Sequence, residues 1–264
     1  MCTLILGLGI LGPGTLLLGG NRDESPQRPS TDPGVLLEAP RVVGGRDLVS
    51  GGTWLAVREA RFVTVLMNRR PVAGDTRDPK ILRSRGLLCL DAAAAGSGTG
   101  ADGAASAGGG AGADSHLDAA LQLLRRDSYA PCTLVGVGVD GEAWALQASP
   151  GEPRVHPIAR GWHVITHQDV DDPTEPRTRW ILKDIAEKRP GSVEEALDLI
   201  SGYLRWQGDD SRPAVCLHRG LFPTVSSSLI ALGVGGGPCY LHAPGPPCAT
   251  PYRDYTPLLS NQGD

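Results

Sequence analysis

Residues 1–24 read MCTLILGLGILGPGTLLLGGNRDE, and two points within them decide the reading of the chain. One is Cys2, directly after the initiator methionine. The other is Asn21-Arg22-Asp23-Glu24, which closes the second of two apolar runs. The run from Cys2 to Leu6 reads as a strand, Gly12-Pro13-Gly14 as a turn, and Thr15 to Leu18 as a returning strand. Such a hairpin carries Asn21, Arg22 and Asp23 back to Cys2. On position alone Cys2 is a small buried residue opening a strand. If Met1 is removed, the thiol and its own α-amine share one terminal residue. A free α-amine has a pKa near ~7.7–8.0, so it can act as a base beside its own nucleophile. A carboxylate at Asp23 would hold the ammonium, and Arg22 would favour the thiolate by charge. The bland alternative for the polar run is a solvated turn.

Outward from this stretch, Gly7-Leu8-Gly9-Ile10-Leu11-Gly12 spells GxGxxG after a strand. A dinucleotide site needs those glycines to open a helix. Pro13-Gly14 follows instead and favours a hairpin. Prolines 26, 29, 33 and 40 predict an extended loop with little regular structure over 25–40. Strands are expected over 53–57 and 62–66, with Asn68 just past the second, at the tip of a buried hairpin. An amide there is a candidate oxyanion donor, and a turn asparagine is the alternative.

Asp78-Pro79-Lys80 reads as a helix start. Residues 92–113 hold only Ala, Gly, Ser, Thr and Asp, a composition that predicts a disordered insertion. Helical spacing resumes over 116–126. Strands follow over 133–139 and 143–147 around Asp140-Gly141. His163 to His167 alternates as a strand; both rings could share a face, but no third ligand is evident and no metal site is expected. Helices are predicted over 175–187 and 192–206, the second opened by a capping box from Ser192 to Glu195. Strands are expected over 214–218, 225–232 and 239–242. Ser226-Ser227-Ser228 lacks a GxSxG elbow and reads as a polar strand edge.

These pieces together resemble the NRDE family, which includes the transport and Golgi organisation proteins. The residues that carry the resemblance are Met1-Cys2-Thr3-Leu4, Asn21-Arg22-Asp23-Glu24, Gly44-Gly45-Arg46-Asp47, Gly51-Gly52-Thr53-Trp54-Leu55, Leu66-Met67-Asn68-Arg69-Arg70, and Thr224 to Leu232. The family is similar to N-terminal-nucleophile hydrolases. The resemblance therefore implies an α+β fold, a four-layer sandwich of two antiparallel sheets between helices, over one domain spanning 1–264. It implies Cys2, Asp23 and Asn68 as catalytic residues, with Asn21, Arg22 and His167 against the substrate. His167 stands where the family often has asparagine, and would either replace that donor or add a group titrating near pH 6.5.

The implied activity is amide, ester or thioester hydrolysis or acyl transfer on a small acyl-bearing molecule, with no cofactor. The related amidases commonly carry an arginine nearer Gly20, so Arg22 need not play that arginine's part. The alternative is a non-catalytic carrier of haem, lipid or acyl-CoA, or a trafficking scaffold. A haem carrier needs an axial ligand, for which His163, His167 and His218 are the candidates.

Composition bounds the rest. A net charge of −4 over 264 residues leaves no electrostatic footprint for nucleic acid. The six cysteines are scattered, with no close CxxC pair, and predict reduced thiols in a cytoplasmic protein. The apolar N-terminus lacks a basic leader and is interrupted by Gly and Pro, so neither an export signal nor a membrane span is expected.

Overall fold

The computed structural model describes residues 2–72, 74–95 and 115–260. Most of the 92–113 insertion lies outside them. Its first residues do not: Ala92 and Ala93 are fully buried in a helix, against the expectation of disorder from residue 92. Methyl side chains suit a helix face pressed on a sheet, which composition alone does not reveal.

In chain order the strands are β1 (Thr3–Leu8), β2 (Leu16–Asp23), β3 (Gly34–Leu37), β4 (Val42–Gly44), β5 (Leu55–Arg58), β6 (Phe62–Asn68), β7 (Cys132–Gly138), β8 (Ala143–Ala148), β9 (Arg154–Pro157), β10 (Gly161–Ile165), β11 (Thr224–Leu232), β12 (Cys239–Ala243) and β13 (Arg253–Asp254). The α-helices are α1 (Arg85–Ala94), α2 (His116–Arg126), α3 (Pro176–Ile185) and α4 (Val193–Leu204). One sheet runs β10-β1-β2-β11-β12-β13 and the other β3-β4-β5-β6-β7-β8-β9, all neighbours antiparallel.

Alternate side chains of each strand point to opposite faces of its sheet and so into different layers. Leu4, Leu6, Leu16 and Leu18 meet Val57, Val63, Val65 and Val135 in a core between the sheets. On the opposite faces, Ile5, Leu17 and Leu229 pack under α3 and α4 with Ile181, Ile200 and Leu204. Phe62, Leu134 and Leu146 pack under α1 and α2 with Leu88, Ala92 and Ala120. The result is helices, sheet, sheet, helices, the four-layer α+β sandwich that the resemblance implies. Strands buried on both faces explain the unbroken leucine runs in β1 and β2.

The β1–β2 hairpin forms as read, with Thr3 opposite Asn21 and Leu6 opposite Leu18. Its GxGxxG segment is strand and turn, closed by Gly9 N–H donating to Thr15 O at 2.8 Å, with no helix following.

Several local readings change. Residues 25–40 include β3, a half-buried strand that the prolines concealed. The helix expected from Asp78 is a short 3-10 turn at Pro79–Ile81 followed by α1. Residues 214–218 are not a strand: Val215 and Cys216 both donate to the Trp206 carbonyl at the end of α4, which leaves them no sheet partner. Ser226, Ser227 and Ser228 are not at an edge, since β11 lies between β2 and β12 and all three are buried. The Ser192 cap is half a box: its hydroxyl accepts from Glu195 N–H, but Glu195 reaches back to Gly191 N–H.

Candidate active site

The β1–β2 register sets Cys2 beside Asp23. The Asp23 N–H donates to Cys2 Sγ at 3.4 Å, and Sγ lies 3.8 Å from the Asp23 carbonyl. The half-buried thiol opens into a cavity of about 410 Å³. Its wall holds Cys2, Arg22, Asp23, Glu24, Arg28, Asp47, Trp54, Leu66 and Asn68, with Arg83, Arg85 and Gly86 where α1 begins. A narrow apolar recess of about 20 Å³ continues past Cys2 and Arg22 between Trp54, Leu55 and Val65.

The Asp23 side chain is fully buried. Thr224 Oγ1 donates to its Oδ1 at 2.6 Å, and Arg177 of α3 stands 3.9 Å from Oδ2. Burial raises its pKa, with Thr224 and Arg177 opposing. Arg177 also donates to Thr3 Oγ1 at 2.7 Å, clamping the start of β1. Burial, and then the Asp23 carboxylate, push the Cys2 thiol up to about 11, while Arg22 pulls only weakly the other way. The expectation that Arg22 would favour a thiolate is therefore outweighed by desolvation. With the chain in this form the sulfur is a thiol at neutral pH.

Arg22 has a different neighbourhood. It is on the face between the sheets, its guanidinium 4.3 Å from the Trp54 ring centroid. It donates to Ser30 Oγ at 3.1 Å and stands 3.9 Å from Asp47. Asp47 also takes a 2.6 Å bond from Arg28. Burial works against ionisation of Asp47, and the hydrogen bonds from Arg28 and from the Val49 and Ser50 N–H groups outweigh it, holding the carboxyl below its ordinary value.

The model of the Transport and Golgi organisation 2 family matches residues 1–184. The chain belongs to this family. No curated protein sequence matches it. Among solved structures, a Caenorhabditis elegans orthologue of N-acylethanolamine-hydrolyzing acid amidase is similar with a TM-score of 0.55 at 14% identity, over 89% of this chain and 94% of that one. Penicillin V acylase from Agrobacterium tumefaciens gives 0.52 at 10% identity, over 99% and 89%. A variant of conjugated bile acid hydrolase from Clostridium perfringens gives 0.51 at 12% identity, over 99% and 95%. At these identities the likeness is one of fold.

This member of the Transport and Golgi organisation 2 family places the other sequence-derived candidates unevenly. Asn68 is the last residue of β6, opposite Cys132, and is exposed on the cavity wall. It lies at the end of β6 away from the hairpin tip, because the β5–β6 turn spans 58–62. Asn21 faces the helices, where its amide donates to Leu204 O at 2.9 Å and Val215 O at 3.1 Å. That use ties α4 and the following loop to β2.

His167 lies two residues beyond β10, is buried, and lines neither cavity. Its Nδ1 has no hydrogen-bond partner among the described residues. Burial, then Arg70, lower its pKa, so it is neutral at pH 7. His163 is bonded elsewhere, to Asp171 at 2.6 Å and Ala159 O at 2.9 Å.

Sequence reasoning missed Arg177 and Arg28 as site residues, and treated Asp47, Trp54 and Thr224 only as pieces of the family pattern. It also missed a cluster of Cys216, His218 and Cys248, whose ligand atoms all lie within 4.8 Å of one another. Cys216 and His218 are two apart, but Cys248 comes from a separate loop 30 residues on, so no full ligand spacing announces the cluster. No helix among the described residues is long and apolar enough to cross a membrane.

Proposed function

We propose that the chain is an N-terminal-nucleophile amidohydrolase or acyltransferase that uses Cys2 on a small amide, ester or thioester. The observation that carries this reading is the Cys2 thiol hydrogen-bonded to Asp23 at the wall of a 410 Å³ cavity. The amidase-like fold supports it. Removal of Met1 would give Cys2 a free α-amine within reach of its own sulfur. The amine takes the thiol proton as the sulfur attacks the substrate carbonyl. The same proton then passes to the leaving amine, alcohol or thiol, and a thioester to Cys2 remains. Water, deprotonated by the α-amine, hydrolyses it, or a second nucleophile accepts the acyl group. Asp23, held by Thr224 and Arg177, orients the ammonium form.

Asn68 is the side-chain amide on the cavity wall and is assigned the oxyanion. One such donor is typically worth ~2.7–4 kcal/mol of barrier. Arg22, Arg28, Arg83 and Arg85 share the wall with Asp23, Glu24 and Asp47. That lining suits an acyl substrate carrying a polar or anionic group.

The test combines mass spectrometry of the mature N-terminus with turnover of N-acyl amides and acyl thioesters. The expected result is a chain starting at Cys2, an acyl adduct on Cys2 alone among the six cysteines, and loss of turnover in Cys2→Ala with the fold intact. Full activity with Met1 attached would overturn the mechanism. So would an adduct at another cysteine.

A further inference from the structure

We propose that Cys216, His218 and Cys248 form a zinc site on the face served by the loops 205–223 and 244–252. The three side chains already converge. Cys216 Sγ lies 3.3 Å from Cys248 Sγ, His218 Nε2 lies 3.0 Å from Cys248 Sγ, and Cys216 Sγ lies 3.9 Å from His218 Nε2. A tetrahedral zinc ion has metal–sulfur bonds of about 2.3 Å and metal–nitrogen bonds of about 2.0–2.1 Å, which set neighbouring ligand atoms about 3.6–3.8 Å apart. The observed separations bracket that range, so loading requires shifts of a few tenths of an ångström. Two thiolates with one imidazole are the soft donor set that selects zinc over calcium or magnesium.

The backbone explains the convergence. Cys216 and His218 are two apart in the loop that bends at Val215 and Cys216, and both present their ligand atoms to Cys248. Cys216 N–H is held by the Trp206 carbonyl. Cys248 sits in a turn closed by Ala249 and Thr250 N–H groups donating to Pro246 O. Cys216 is buried, Cys248 half-buried and His218 exposed, which gives the ion an entry path and a solvent position as fourth ligand. On binding, both thiols release their protons to solvent and the imidazole binds neutral through Nε2.

The site bears on the cavity through one residue. Leu217, between the two ligands, donates its N–H to Thr224 Oγ1 at 2.9 Å, and Thr224 donates to Asp23. The ion would staple the two loops and so fix the hydroxyl that holds Asp23.

The experiment uses the full chain, reduced and anaerobic, with Zn²⁺ and the spectroscopic probe Co²⁺. Expected are one equivalent of bound metal, a thiolate-to-cobalt charge-transfer band, and a higher melting temperature with Zn²⁺. Cys248→Ser should remove the band and the thermal shift. His218→Ala, an exposed position that leaves folding unaffected, should weaken binding at least tenfold. The proposal is overturned if the reduced chain takes up no metal, or if Cys248→Ser binds as the parent does. It is also overturned if Cys216 and Cys248 are recovered as a disulfide and, once reduced, show no cobalt band. None of these readouts depends on turnover at Cys2.

Discussion

At the scale of single residues, Asp23 is a buried carboxyl at the site, held by Thr224 and Arg177, neighbours distant in sequence. Cys2 and Asp23 are legible in the sequence because a hairpin register puts them together. Thr224 and Arg177 are not, because nothing near residues 224 or 177 encodes their approach to Asp23; tertiary packing does. A second buried group, His242, makes a measurable prediction. It is 2% exposed and shares a 2.9 Å hydrogen bond between Nδ1 and Ser228 Oγ. Burial lowers its pKa to about 4; Asp32 opposes this, and Arg22 and Arg253 reinforce it. The neutral ring is thus favoured in the folded chain, so its contribution is present above pH 6.5 and lost as pH falls towards 4. The loss is on the order of 3 kcal/mol. Urea unfolding from pH 7 to 4 should show a steeper loss in the parent than in His242→Gln. Equal slopes would remove His242 from the account.

At the scale of elements, close backbone approach sets where α1 begins. A Cβ added to Gly52 would lie 2.1 Å from the Gly86 carbonyl carbon, and Thr53 N–H donates to Gly86 O at 3.0 Å. Neither group can yield as a flexible side chain would. Gly52→Ala should therefore cost at least ~1–3 kcal/mol, as overpacking does, and displace Arg85 and Gly86 from the cavity wall. Gly34→Ala in β3 is the control: nothing lies within 4 Å of its added Cβ, and a change within about 0.5 kcal/mol is expected. Denaturant melts of both variants decide it; similar losses would refute the close-contact argument. The elements readable in sequence were those with strong local punctuation, such as the Gly12-Pro13-Gly14 turn, Asp140-Gly141 and the amphipathic α2. Strands β3, β4 and β9 are four, three and four residues long, too short for period-2 alternation to show. Residues 214–218 look apolar enough for a strand, yet the Val215 and Cys216 N–H groups are captured by the Trp206 carbonyl just past α4.

At the scale of the whole molecule, the cavity draws on Cys2 ahead of β1, on β2 and β6, the loops near Asp47 and Trp54, and the start of α1, so both sheets and a helix layer must be in place before it exists. The four layers followed from the family likeness rather than from periodicity, which gives strands but not the stacking of sheets. The sandwich leaves open sheet margins at β3, β9, β10 and β13. Strand β13 has two exposed residues, and β9 ends in proline with Arg154 exposed. The outer side of β10 is occupied by Asp171, whose N–H donates to Val164 O and whose carboxylate accepts from Val164 N–H. Unpaired margins of this kind recruit strands from other copies when left bare. If Asp171 blocks such pairing at this margin, Asp171→Ala should raise the concentration-dependent light scattering of the native chain. Unchanged scattering would mean that the margin is guarded by other means. On that margin a single residue, bonded to both backbone groups of Val164, stands where the next strand's backbone would pair.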